Sequence, residues 1–134
     1  MLRQALFAKI HRAVVTACNP DYVGSVTIDP VLLEATGMAV NERILVADCD
    51  NGARMESYIF LGERGSGQIE VNGAAARLTA VGHRLLIMSF CQLSPEELET
   101  HRPKVVVCDE RNRIARTLAY EPGTPTGAHV SGKW

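Results

Sequence analysis

Asp50-Asn51-Gly52 separates two apolar, strand-like runs, 43–49 and 54–61, and limits the fold more tightly than any other stretch. Asn-Gly favours the left-handed backbone of a tight hairpin turn, so the two runs are expected to pair as antiparallel strands. The same alternation of short apolar runs and turn residues continues along the chain. Residues 9–17, 68–71, 84–92 and 104–109 read as strands, punctuated by Asn19-Pro20-Asp21 and Asn72-Gly73. Helices are short and act as connectors. Asp29 can cap a helix that begins at Pro30 and leaves through a left-handed Gly37. The alanines after Gly73 favour another helix, and Ser94-Pro95-Glu96-Glu97 is a capping box for one that stops before Pro103. A mainly β chain of 134 residues fits one domain, assigned to residues 1–120, with 121–134 read as a flexible tail.

An internal echo adds to this. Ala39-Val40-Asn41-Glu42-Arg43-Ile44-Leu45-Val46 lines up with Ala80-Val81-Gly82-His83-Arg84-Leu85-Leu86-Ile87, and Ala, Val, Arg and Leu recur at matching places. Each copy follows a short helix and opens a strand. The match is expected of a barrel with two related halves.

Charge excludes some functions. Fourteen basic residues against fifteen acidic ones leave no field to gather nucleic acid or anionic lipid. No apolar run approaches the roughly 18 residues of a membrane span, and the N-terminal apolar stretch breaks at Lys9 too early for a signal peptide. A cytoplasmic protein is expected. Cys18, Cys49, Cys91 and Cys108 lack C-x-x-C spacing and lie in strand-like contexts, so they read as buried reduced thiols and not as a zinc site.

Chemistry concentrates around Gly24-Ser25. Glycine suits a backbone that must strain or be approached closely, and the serine hydroxyl can reach the preceding carbonyl. Attack there turns the amide into an ester. Elimination and hydrolysis would then leave a ketone on a new N-terminus. By itself such a pair is a turn, as Gly65-Ser66 in Gly-Glu-Arg-Gly-Ser-Gly illustrates. In a strand Lys9 and His11 share one face. Arg54 could grip a carboxylate through two parallel hydrogen bonds. Ser57 and Tyr58 fall on opposite faces of their strand unless it bulges. A phenol is a weak acid at neutral pH, so Tyr58 could donate a proton only if well placed.

Several ungapped motifs appear in order: Lys9-Ile10-His11-Arg12, Tyr22-Val23-Gly24-Ser25-Val26-Thr27-Ile28-Asp29, Asn51-Gly52-Ala53-Arg54, Ser57-Tyr58, Gly62-Glu63-Arg64-Gly65-Ser66 and Val71-Asn72-Gly73-Ala74-Ala75-Ala76. In these the chain resembles the bacterial pyruvoyl-dependent aspartate 1-decarboxylases, collinearly over residues 1–120. The resemblance implies a six-stranded double-psi β-barrel with short connecting helices. It implies cleavage between Gly24 and Ser25 into chains 1–24 and 25–134, with Ser25 becoming a covalent pyruvoyl group that forms a Schiff base with the substrate. The reaction implied is decarboxylation of L-aspartate to β-alanine for pantothenate and coenzyme A biosynthesis. Tyr58 would be the proton donor; Gly24, Ser25 and Ser57 would serve processing; Lys9, His11, Arg54, Ser57, Asn72, Gly73, Ala74 and Ala75 would bind substrate. A homotetramer with active sites at subunit interfaces is implied, and some members require a maturation protein. Ser57, Asp21 and His83 depart from the commoner threonine, histidine and aspartate. The alternative reading is a double-psi barrel that never matures and binds a ligand or partner; an enzyme of the same kind acting on glutamate is a further one.

Overall fold

The computed structural model describes residues 1–122, so most of the expected tail lies outside the described residues. Among the described residues nine strands carry the fold: β1 (Arg3–Val14), β2 (Ala17–Asn19), β3 (Ser25–Ile28), β4 (Arg43–Asp48), β5 (Arg54–Leu61), β6 (Ile69–Asn72), β7 (Arg84–Leu93), β8 (Lys104–Cys108) and β9 (Ile114–Ala119). They hydrogen-bond in the order β2-β6-β3-β5-β4-β7-β1-β8-β9. Three short helices connect them: α1 (Pro30–Thr36), a 3₁₀ helix (Gly73–Leu78) and α2 (Pro95–Thr100). Asp29 caps α1 by accepting from Val31 N, and Gly37 leaves it at φ +80°. The capping box of Ser94 and Glu97 is complete. β4 and β5 form the expected hairpin, with Gly52 at φ +76°.

The internal echo is a structural repeat. In the first copy, Glu42 N donates to Ala39 O, Asn41 N to Ile59 O and Ile59 N to Glu42 O. In the second, His83 N donates to Ala80 O, Gly82 N to Val15 O and Val15 N to His83 O. Asn41 (φ +70°) and Gly82 (φ +90°) occupy the same left-handed position of the turn, where glycine and asparagine are tolerated best. Val46 pairs with Ile87, its own counterpart, where β4 and β7 run antiparallel. Outward from that pair, β5 matches β1, the parallel β3–β5 pair matches the parallel β8–β1 pair, and β6 matches β9. Six inner strands therefore form two matching triplets, and β2, β6 and β9 are added outside them. This mainly β arrangement is that of a double-psi barrel.

The ladder stays open, but its ends are drawn together. Thr16 N donates to Ile69 O, Ile69 N to Thr16 Oγ1, and the buried Asn112 side chain bonds Val14 N, Val14 O and Gly67 O. Ile10, Val26, Ile28, Ile44, Val46, Ile59, Ile69, Leu85 and Ile87 fill the interior and have almost no exposure. Each such side chain contributes roughly 1.5–3 kcal/mol through loss of apolar surface to water.

Some sequence expectations change. The first strand starts at Arg3, not residue 9, because residues 3–8 pair along β7 as continuously as residues 9–14 do. It ends at Val14, and 17–19 become a separate strand on β6. Ser25–Ile28 and Ile114–Ala119, read as no element, are strands held by neighbours distant in sequence. Only Cys108 is a buried thiol, its pKa pushed up to about 12 by burial; Cys18 and Cys91 are half-buried and Cys49 is exposed. Among the described residues no helix is long and apolar enough to cross a membrane.

Candidate active site

Alternation along β3 and β5 decides which residues meet. Val26 pairs with Ile59 in the parallel ladder, and both point into the core. Continuing that register by one residue sets Ser25 beside Tyr58, with strands about 4.8 Å apart and both side chains on the opposite, outer face. Ser57 shares the inner face of Met55 and Ile59 and is half-buried, so the separation of Ser57 from Tyr58 holds.

Ser25 is fully buried, although Tyr22 and Val23 just before it are more than half exposed. Its hydroxyl donates to Val23 O at 3.2 Å and accepts from Asn72 Nδ2 at 2.9 Å. Asn72 pairs directly with Ser25 across the β3–β6 ladder. Its amide also donates to Thr27 Oγ1 at 3.1 Å and its carbonyl accepts from Asn19 Nδ2 at 3.0 Å.

Gly73 follows at φ +75°. A Cβ there would stand 2.6 Å from Gly24 Cα and 3.0 Å from Gly24 N, so only glycine lets the Gly24 backbone pack against this turn. Ala74, second in the 3₁₀ helix, is exposed, and Ala75 packs on the core. Tyr58 meets Phe60 edge-on at 5.5 Å between ring centres, and Phe60 meets Tyr22 at 6.5 Å. A groove of about 670 Å³ opens beside these groups, lined by Asn19, Asp21, Tyr22, Thr27, Phe60 and Asn72 among others.

The cationic candidates lie elsewhere in the same chain. Arg54 is exposed on the outer face of β5, four residues from Tyr58 and hence about 13 Å along the strand. Lys9 pairs with Met88, Met88 with Leu45 and Leu45 with Glu56, which places Lys9 three strands from β5. Its ammonium sits 5.8 Å from the centre of the Tyr120 ring. His11 stands in one row with Leu86, Ala47 and Arg54. Burial, with Lys9 and Arg12 nearby, lowers its pKa from 6.5 to about 4, so the ring is neutral at pH 7.

A second polar cluster supports the 3₁₀ helix. Asp48 accepts from Asp50 N, Asn51 N, Thr79 Oγ1 and His83 Nδ1, and Asn51 Nδ2 donates to Leu78 O. Burial raises the Asp48 carboxyl pKa, but these bonds outweigh it and hold the group ionised below its ordinary range. The bond to Asp48 raises His83 in turn. Asp48, Asp50 and His83 offer ligand atoms within 4.8 Å of one another, yet Asp48 is already committed to hydrogen bonds, which makes the cluster a structural junction.

Sequence reasoning missed Asn19, Thr27 and Phe60 as residues that line the groove beside Ser25. Asn19 carried only a turn signal, and its contact with Asn72 spans 53 positions. Phe60 could have been found from its i+2 spacing to Tyr58 on a strand.

The family model described as aspartate decarboxylase matches residues 1–115. A protein of Bacillus licheniformis named aspartate 1-decarboxylase is 53% identical over 122 residues, covering 91% of this chain and 96% of its own length. One of the same name from Caldicellulosiruptor saccharolyticus is 52% identical over 116 residues, covering 87% and 91%. Another from Bacillus subtilis is 47% identical over 122 residues, covering 91% and 96%. With the motif-bearing residues gathered in one barrel and matches of this extent, the chain belongs to the aspartate decarboxylase family.

Proposed function

We propose that this chain decarboxylates L-aspartate to β-alanine, after breaking its own Gly24–Ser25 bond and converting Ser25 to a pyruvoyl group. The observation that carries this is the setting of Ser25: a buried hydroxyl held by the Asn72 amide, with Gly24 pressed against Gly73. Residues at this site fit a small ketone at position 25, because Asn72 offers an N–H there and Gly73 leaves no side chain in the way. When present, that ketone supplies the electron sink that decarboxylation of an α-amino acid requires.

The chain's own groups bind substrate and handle protons. Asn72, released from Ser25 Oγ by maturation, has an N–H to offer the substrate. Arg54 offers a bidentate grip for a substrate carboxylate, and Lys9 adds positive charge. Neutral His11 can hydrogen-bond without adding a competing cation. Tyr58, beside residue 25 on the outer face, holds the proton for the α-carbon after carbon dioxide leaves.

Arg54 and Lys9 lie far from Ser25 within one chain, on the outer face of the β5–β4–β7–β1 sheet. This separation supports a homotetramer in which neighbouring subunits complete each site. β-Alanine would then serve pantothenate and coenzyme A biosynthesis.

Intact-mass spectrometry over time tests the reading. Two chains, 1–24 and 25–134, are expected, the larger blocked to Edman degradation, with carbon dioxide released from aspartate faster than from glutamate. A chain that stays whole and inactive overturns maturation. A preference for glutamate overturns the substrate.

A further inference from the structure

We propose that Asn19 sets the hydrogen-bond polarity of Asn72 and so directs the fate of the Ser25 oxygen during maturation. The inference rests on the self-cleavage reading above. Asn19, Asn72 and Ser25 stand side by side on β2, β6 and β3, three neighbouring strands. Donors run one way through them. Asn19 Nδ2 donates to Asn72 Oδ1, Asn72 Nδ2 donates to Ser25 Oγ, and Ser25 Oγ donates to Val23 O. A carboxamide presents a carbonyl on one side and an N–H pair on the other, so rotating Asn72 would turn its oxygen toward Ser25. The donor on Asn19 selects the observed orientation. Asn19 is exposed and touches none of the reacting atoms, which makes it a positioning residue.

The polarity matters when bonds break. In the first step Ser25 Oγ attacks the Gly24 carbonyl carbon, the C–N bond breaks, and the hydroxyl proton passes to the freed amine. In the second, water takes the Ser25 Cα proton, the Cα=Cβ bond forms, and the Cβ–Oγ bond breaks. Oγ then leaves within the new Gly24 carboxylate, carrying negative charge. Water hydrolyses the dehydroalanine and ammonia departs; no external oxidant or reductant is needed. An Asn72 N–H facing Oγ bonds more strongly as that charge grows, whereas its carbonyl would oppose the step. Asn19 therefore favours elimination over accumulation of the ester.

The test follows the full-length chain by intact mass, with aliquots exposed briefly to neutral hydroxylamine, which releases residues 1–24 as a hydroxamate from the ester alone. Asn19→Asp presents only acceptors and inverts Asn72. It is expected to raise the hydroxamate and slow appearance of the 25–134 ketone chain, each by about tenfold. Asn19→Gln keeps a donor, and Thr27→Val removes an acceptor without reversing polarity. Both are expected to hold the ester-to-ketone ratio within about twofold of wild type. If Asn19→Asp gives no thermal unfolding transition, Asn19→Leu carries the test, with an ester excess of about twofold or more. A wild-type ratio in the tested Asn19 variant, or equal slowing in Asn19→Asp and Thr27→Val without ester excess, overturns the inference while leaving self-cleavage standing. A wild-type chain that never yields 25–134 overturns the self-cleavage reading, and this inference with it.

Discussion

Gly73 leaves the backbone of the site its smallest freedom. Its φ is left-handed, and a Cβ added to it would come within 2.6 Å of Gly24 Cα, so two constraints act on one atom. Gly73→Ala should destabilise the fold by about 1–2 kcal/mol from the backbone alone. By displacing Gly24 it should also slow cleavage about tenfold or more. Thermal melting and a mass time course read the two effects separately. Ser57 is a milder case. Threonine would keep the hydroxyl and stiffen χ1, so Ser57→Thr is expected to mature about twofold faster, and a slower variant would contradict the role given to Ser57.

At the scale of elements, the β4–β5 hairpin does more than join two strands. Through Asp48 and Asn51 it holds the far end of the 3₁₀ helix whose first residue is Gly73. His83 completes that hold, and its pKa is raised above 6.5 by Asp48. Stabilisation from protonated His83 is present in full below its unfolded pKa and is lost as pH rises through the raised folded value. Melting temperature should therefore fall as pH rises from about 6 to about 9, and His83→Gln should flatten that slope. α2 provides a contrast. Every residue in it is exposed, so Ser94→Ala should cost about 1 kcal/mol of stability while leaving cleavage and carbon dioxide release unchanged.

At the scale of the whole molecule, the repeat about Val46 and Ile87 sets where functional groups can lie. Ser25 and Tyr58 belong to the triplet β3-β5-β4, and Lys9 and His11 to β7-β1-β8. If subunits share sites, Lys9→Ala and Ser25→Ala chains, each lacking activity alone, should recover carbon dioxide release when assembled together. No recovery in verified mixed oligomers would place all the groups in one subunit.

Local sequence sufficed where one short stretch carries the physics. The Asn51-Gly52 hairpin, the Asp29 and Ser94 caps and the left-handed Gly37 depend on residues within a few positions of each other, and they fold as read. So does the echo of 39–46 in 80–87, because identical turns demand similar residues. The motifs around Gly24-Ser25, Arg54, Tyr58 and Asn72 identified the family. Tertiary structure decided the rest. Ser25–Ile28 has only four residues and becomes a strand because β5 and β6 flank it. Asn19 reads as part of a turn until β2 lies along β6. Lys9 reads as a partner of Ser25 until strand order separates the two, and Arg54 until four residues along β5 set it apart from Tyr58. In each case the deciding contact joins residues far apart in the chain, and hydrogen-bond ladders of that range leave no periodic trace in the sequence.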